Sequence, residues 1–101
     1  MSEAASTRTA LRIPATHPAL PGHFPGQPVV PGVVILDAVQ RAIEAGAAPL
    51  PALKLPQVKF LQPLLPEEDA VIDIEVITPS RWRFRVLRGE ALIASGEAAA
   101  A

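Results

Sequence analysis

The chain has no cysteine and no tyrosine, one tryptophan, three phenylalanines and only two histidines, His17 and His23. Without cysteine, disulfides, thiolate chemistry and sulfur-ligated metal are excluded, and two histidines are too few for a convincing zinc site, so no metal is expected. Nowhere do about 18 apolar residues run together, as a helix crossing a bilayer needs. Met1–Arg8 lacks the apolar stretch of a secretory signal, and a cytoplasmic protein is expected. A formal net charge of −1 offers no electrostatic grip on nucleic acid or an anionic membrane. With so few aromatics and 18 alanines, the core must come from Val, Ile and Leu. The 101 residues make one domain, 1–101, in which 1–8 reads as a small, polar, disordered tail.

Proline is abundant instead. Six of the twelve prolines fall between Pro14 and Pro31, which rules out a helix there and makes a stiff, extended loop. That loop carries Gly22-His23-Phe24-Pro25-Gly26 and runs into an apolar segment, Val33–Ile43, that reads as a helix starting at Pro31-Gly32 and ending near Gly46. Its apolar side chains point in nearly every direction, so the helix expects protein on most sides. The exception is a stripe formed by Asp37, Gln40, Arg41 and Glu44 at spacings of three and four. A carboxylate in so apolar a helix needs a partner or a function. Asp37 either pairs with Arg41 on a partly wet face, or meets His23 across a cleft as an acid–base pair with bare helix amides as the third element. Spacing alone leaves both open. His17, beside Pro18, reads as a surface loop residue.

His23-Phe24-Pro25-Gly26, then Pro28, Pro31-Gly32-Val33 and Asp37-Ala38 resemble, with their spacing, the active-site signature of the β-hydroxyacyl-acyl carrier protein dehydratases of the hot-dog fold. Val58-Lys59-Phe60, Pro63 and Pro66 loosely resemble that family's strand after the central helix. The resemblance implies an α+β hot-dog fold, an antiparallel β-sheet wrapped around a central apolar helix. It implies that His23 takes the α-proton of a 3-hydroxyacyl thioester, that Asp37 assists departure of the β-hydroxyl as water, and that the backbone N–H of Gly32 receives the thioester carbonyl. His and acid then come from opposite subunits of a homodimer or an oligomer of dimers. The substrate is carried by acyl carrier protein or CoA; the phosphopantetheine arm belongs to it, and no bound cofactor is expected. Gln40 stands one residue earlier than the glutamine often found after the acid. Because a guanidinium on Asp37 would hold it charged, Arg41 is expected to point away from the site or to bond elsewhere.

The remainder reads as sheet. Thr9–Ile13 is a short strand, and Leu53–Leu61 a strand interrupted by Pro56, hence bulged or at an edge. Glu67-Glu68-Asp69 reads as a solvated acidic turn. Ile72, Ile74 and Val76 alternate with Asp73 and Glu75; Trp82, Phe84 and Val86 alternate with Arg81, Arg83 and Arg85. A hairpin about Pro79 sets Val76 opposite Trp82, Ile74 opposite Phe84, Glu75 opposite Arg83 and Asp73 opposite Arg85. Cross-strand neutralisation accounts for the arginines better than a landing patch for an acidic carrier. Arg88-Gly89 turns the chain into a last strand, Glu90–Ala98.

A dehydratase is therefore expected, in fatty acid or polyketide/aryl polyene-type biosynthesis, ahead of a hot-dog acyl thioesterase in which Asp37 activates water, and of a catalytically silent acyl-binding dimer.

Overall fold

The computed structural model describes residues 6–18, 20, 29–45 and 53–100. His23 and the rest of 21–28 lie outside them, as do Gly46 and the connector up to residue 52. Five strands and one helix follow in the order β1 (Ser6–Leu11), α1 (Gly32–Ala45), β2 (Leu53–Phe60), β3 (Ala70–Thr78), β4 (Arg81–Arg88) and β5 (Ala91–Ala100). The strands form one antiparallel sheet in the spatial order β1-β3-β4-β5-β2.

The β3–β4 hairpin has the register that charge and hydropathy demand: Val76 faces Trp82, Ile74 faces Phe84, Glu75 faces Arg83 and Asp73 faces Arg85. Period two then sorts the two faces of the sheet. On one face, Ile72, Ile74, Trp82, Phe84, Val86, Ala94 and Ala98 are buried and carry α1 through Ile35, Val39, Ala42 and Ile43. On the other, Arg83 bonds Glu75 at 3.3 Å, Arg85 bonds Asp73 at 3.3 Å, and Arg8 of β1 reaches the second oxygen of Asp73 at 3.1 Å. Arg81 completes the set with Glu97 at 3.6 Å. The arginine row is thus neutralised across strands.

Strand boundaries differ from the sequence reading, most of all in β1 and β5. β1 begins at Ser6 rather than Thr9, because Ser6, Thr7 and Arg8 pair with Glu75, Ile74 and Asp73 of β3; a long-range ladder and an ion pair order residues whose own composition is that of a tail. β1 also stops at Leu11, ahead of Pro14. β5 runs on to Ala100 because Ala99 and Ala100 pair with Lys54 and Leu53 of β2. As expected from Pro56, β2 is an edge strand, and its register with β5 shifts between Lys54 and Gln57.

One glycine fixes where β2 lies. Gly96 sits between Phe84 of β4 and Val58 of β2. A Cβ there would fall onto the Gln57 carbonyl and within 2.9 Å of the Phe84 ring. Phe84, fully buried, fills the space that Gly96 leaves. Gly96→Ala should therefore cost about 1–3 kcal/mol through overpacking, read as a fall of several degrees in melting temperature, while an exposed substitution such as Glu90→Ala leaves it unchanged.

Candidate active site

The site is built around the first turns of α1. The Pro31 carbonyl accepts from Val34 N (3.0 Å) and Ile35 N (3.4 Å), so Pro31 stands immediately before the helix and Gly32 is its first residue. The amides of Gly32 and Val33 belong to the first turn, whose donors have no carbonyl of the helix to bond. The chain leading in is seated by Val30 N on Leu64 O at 2.8 Å.

Beside this helix start lies an apolar groove of about 490 Å³, lined among others by Val29, Pro31, Gly32, Ile35, Phe60 and Leu61. Phe60 ends the inward row of the sheet that runs through Ile72, Val86 and Ala94. Its ring lies over Gly32: a Cβ on Gly32 would come within 2.8 Å of Phe60 Cζ. In the sequence alone Phe60 is part of a strand motif and has no further role. Its signal was the exposed aromatic at the end of an edge strand, which has meaning only once α1 is known to begin beneath it.

The groove wall is held by ionic contacts in the 61–69 loop. Ile93, the extra residue of a bulge between β5 and β4, offers its carbonyl to Leu61 N at 2.8 Å and Gln62 N at 3.3 Å. Arg88 bonds Pro63 O at 2.9 Å, Glu68 Oε1 at 3.0 Å and Gln62 Oε1 at 3.4 Å. Glu68 also accepts from Leu65 N at 2.8 Å. Glu67 adopts φ 67°, a region that costs a side-chain-bearing residue energy. It accepts from Ala15 N at 2.8 Å and from Arg12 at 3.0 Å, while its own N–H bonds Ile13 O. Glu67-Glu68 is therefore a clasp rather than a freely solvated turn. Composition could not distinguish the two, since the partners lie some 50 and 20 residues away. His17 is half-buried in a turn, with its N–H on Pro14 O and its carbonyl taking Leu20 N.

Asp37 lies on the uncovered side of α1, its side chain 59 % exposed, in line with Val33, which is 73 % exposed. Here an expectation is overturned: Arg41 does not point away but bonds Asp37, Nε to Oδ2, at 3.1 Å. The i,i+4 spacing puts the two ends within reach. Gln40 and Glu44 approach one another likewise, at 3.4 Å. Such a bridge, combined with an Asp37 turned from His23, counts against a catalytic Asp37. The bridge is present, and His23 lies outside the described residues. Among the described residues no group of His, Asp and Glu could hold a metal ion, and no helix is long and apolar enough to cross a membrane.

The sequence pattern of the ApeI-like family, described as ApeI dehydratase, matches residues 1–97. The chain belongs to the ApeI-like dehydratase family. It is 32% identical over 78 residues to the 3-hydroxyacyl-[acyl-carrier-protein] dehydratase FabZ of Haemophilus influenzae, a match covering 68% of this chain and 53% of FabZ. The chain thus spans about half the length of that curated relative. Among solved structures it is similar to the dehydratase heterocomplex ApeI:P from Xenorhabdus doucetiae, with a TM-score of 0.80 and 25% identity over 96% of this chain and 88% of that one. The fluoroacetyl-CoA-specific thioesterase FlK shares the fold at a TM-score of 0.70 and 17% identity, over 98% and 94% of the two chains. The ApeI-like chain has the hot-dog fold.

The clasp gives this ApeI-like protein a testable acid limb. The Ala15 amide foremost, with Arg12 adding to it against partial desolvation, holds the Glu67 carboxyl below its usual 4.5. The Leu65 amide, with Arg88, does the same for Glu68. A carboxyl lowered in the folded state contributes stability above the unfolded value and loses it as pH falls through the folded one. Melting temperature should therefore drop as pH falls below about 4.5, and the drop should be shallower in Glu67→Gln/Glu68→Gln than in the unaltered chain.

Proposed function

We propose that this ApeI-like chain is one half of a dimeric dehydratase that removes water from a 3-hydroxyacyl thioester and yields the trans-2-enoyl thioester. His23 takes the α-proton, and electron density moves to the thioester oxygen, which the Gly32 N–H receives. Asp37 passes a proton to the β-hydroxyl, the Cβ–O bond breaks and water leaves, and the electron pair on the thioester oxygen returns to close the Cα=Cβ bond. Peptide donors at a helix N-terminus are already aimed when the oxyanion forms, which is where such stabilisation is largest. An imidazole with an ordinary value near 6.5 can accept a proton at neutral pH. The phosphopantetheine arm comes with the substrate, and no resident cofactor takes part.

One observation carries this reading: the family match runs through residues 1–97, and within it Gly32 borders an apolar groove at the start of the helix that carries Asp37 one turn on. A second subunit is supported by what the single chain leaves uncovered. Among the described residues β2 pairs with β5 alone and leaves its other edge unpaired, and Val33, Leu55, Phe60 and Leu61 are exposed apolar residues on or next to β2 and the start of α1. Continuous sheet across two chains would satisfy both. The second chain brings His23 to Asp37. It is a copy of this one, or a related hot-dog chain, as the ApeI:P heterocomplex is named. The likeness to FabZ favours acyl carrier protein as the carrier. Fatty acid or polyketide/aryl polyene-type synthesis would supply such chains.

The test is incubation of the purified protein with a 3-hydroxyacyl thioester. Enoyl absorbance is the expected signal; release of free thiol instead identifies a thioesterase, and neither product a silent acyl-binding protein. His23→Ala should lower the enoyl rate by at least about 10³-fold and Asp37→Asn by about 10²-fold or more, with circular dichroism unchanged. Full activity in either variant removes that residue from the mechanism.

A further inference from the structure

We infer that Phe60 is a specificity-determining residue that restricts the site to acyl thioesters unbranched at Cα; this rests on the dehydratase reading above. Three atoms of its ring surround the place a Gly32 Cβ would take, Cζ at 2.8 Å and Cε1 and Cε2 at 3.2 Å. The ring therefore meets the helix start tip first. No left-handed backbone asks for glycine there, since among the described glycines it is Gly89 that takes a positive φ. Gly32 is bare for want of space, because a side chain would strike the ring.

That ring is held from behind and open in front. Phe60 pairs with Ala94 of β5, and the next two amides, of Leu61 and Gln62, bond Ile93 O at 2.8 and 3.3 Å. Half of Phe60 nevertheless stays exposed, and it lines the apolar groove together with Gly32. It is a wall for whatever the Gly32 N–H receives. Covalent geometry puts the ring tip within about 5 Å of the Gly32 nitrogen. A carbonyl oxygen bonded to that N–H lies about 2.9 Å from the nitrogen, and its carbon carries only sulfur and Cα beyond. The sulfur and the methylene after it are the same in every substrate carried on such an arm. What varies within reach of the ring is Cα, either CH2 or a carbon bearing a methyl group. One carbon too many in an apolar pocket is worth roughly 10- to 200-fold in kcat/KM, and a ring seated against backbone has no free direction in which to make room for it.

The discriminating measurement is kcat/KM of the full chain for a 3-hydroxyacyl thioester and for its 2-methyl counterpart, supplied as both Cα epimers so that an α-proton is available in either orientation. The unaltered protein should favour the unbranched substrate at least about tenfold. Phe60→Ala, which removes the ring, should shrink that ratio at least about tenfold, and Phe60→Leu, which removes its tip, by a smaller factor. A side chain that only packs would change both rates alike and leave the ratio. Melting curves accompany each variant; if Phe60→Ala does not fold, the ratio in Phe60→Leu decides. An active unaltered chain without that preference, or a folded Phe60→Ala variant that keeps it unchanged, overturns the inference alone. An unaltered chain that forms no enoyl product from either substrate overturns the dehydratase reading and the inference with it.

Discussion

Everything in this molecule depends on enclosing a helix that is apolar on all but one stripe. Ile35, Val39, Ala42 and Ile43 of α1 are buried, and a sheet face built from Ile72, Ile74, Phe84 and Val86 receives them. Burying side chains of this size contributes roughly 1.5–3 kcal/mol each, far more than any single ion pair on the opposite face. The rows of arginines and acids on the outward face therefore serve register more than stability: slipping β3 against β4 by one residue would set apolar against charged along the whole hairpin.

Two phenylalanine–glycine pairs then set the finer geometry. Phe84 occupies the space over Gly96 and lets β2 lie close on β5; Phe60 occupies the space over Gly32 and brings the end of β2 to the start of the helix. Together with the Arg88 and Glu67–Glu68 contacts, they hold the 61–69 loop as a wall beside the first turn of α1. The groove at that turn follows from core packing.

Much of this was legible in the sequence. The alternation of β3 and β4 fixed their register, because both hydropathy and charge agreed on it. Pro56 announced an edge strand, and the His23 to Asp37 spacing pointed to the family that residues 1–97 match. The misreadings share one cause: partners distant in sequence. Ser6–Arg8 resembled a tail because β3, which orders them, lies some 65 residues on. Glu67-Glu68 resembled a solvated turn because their partners, Ala15, Arg12 and Arg88, carry no local mark. Arg41 was expected to avoid Asp37 on chemical grounds, yet on an open face the nearest opposite charge takes the contact. Phe60 had no apparent role until the helix start was placed beneath it.

Among the described residues, what the single chain leaves open is consistent from element to element: an unpaired β2 edge, exposed Phe60 and Leu61 beside it, and a helix stripe that begins at Val33 and carries Asp37. A dehydratase site completed across two copies of the chain makes a sharp demand. His23→Ala and Asp37→Asn chains, each inactive alone, are unfolded together, refolded as a mixture and assayed for enoyl formation. Half the dimers are then mixed, and each mixed dimer holds one site with both groups intact, so activity should return to about one quarter of the unaltered protein's. A mixture as inactive as its components, despite proven exchange of subunits, would contradict a site shared between two copies.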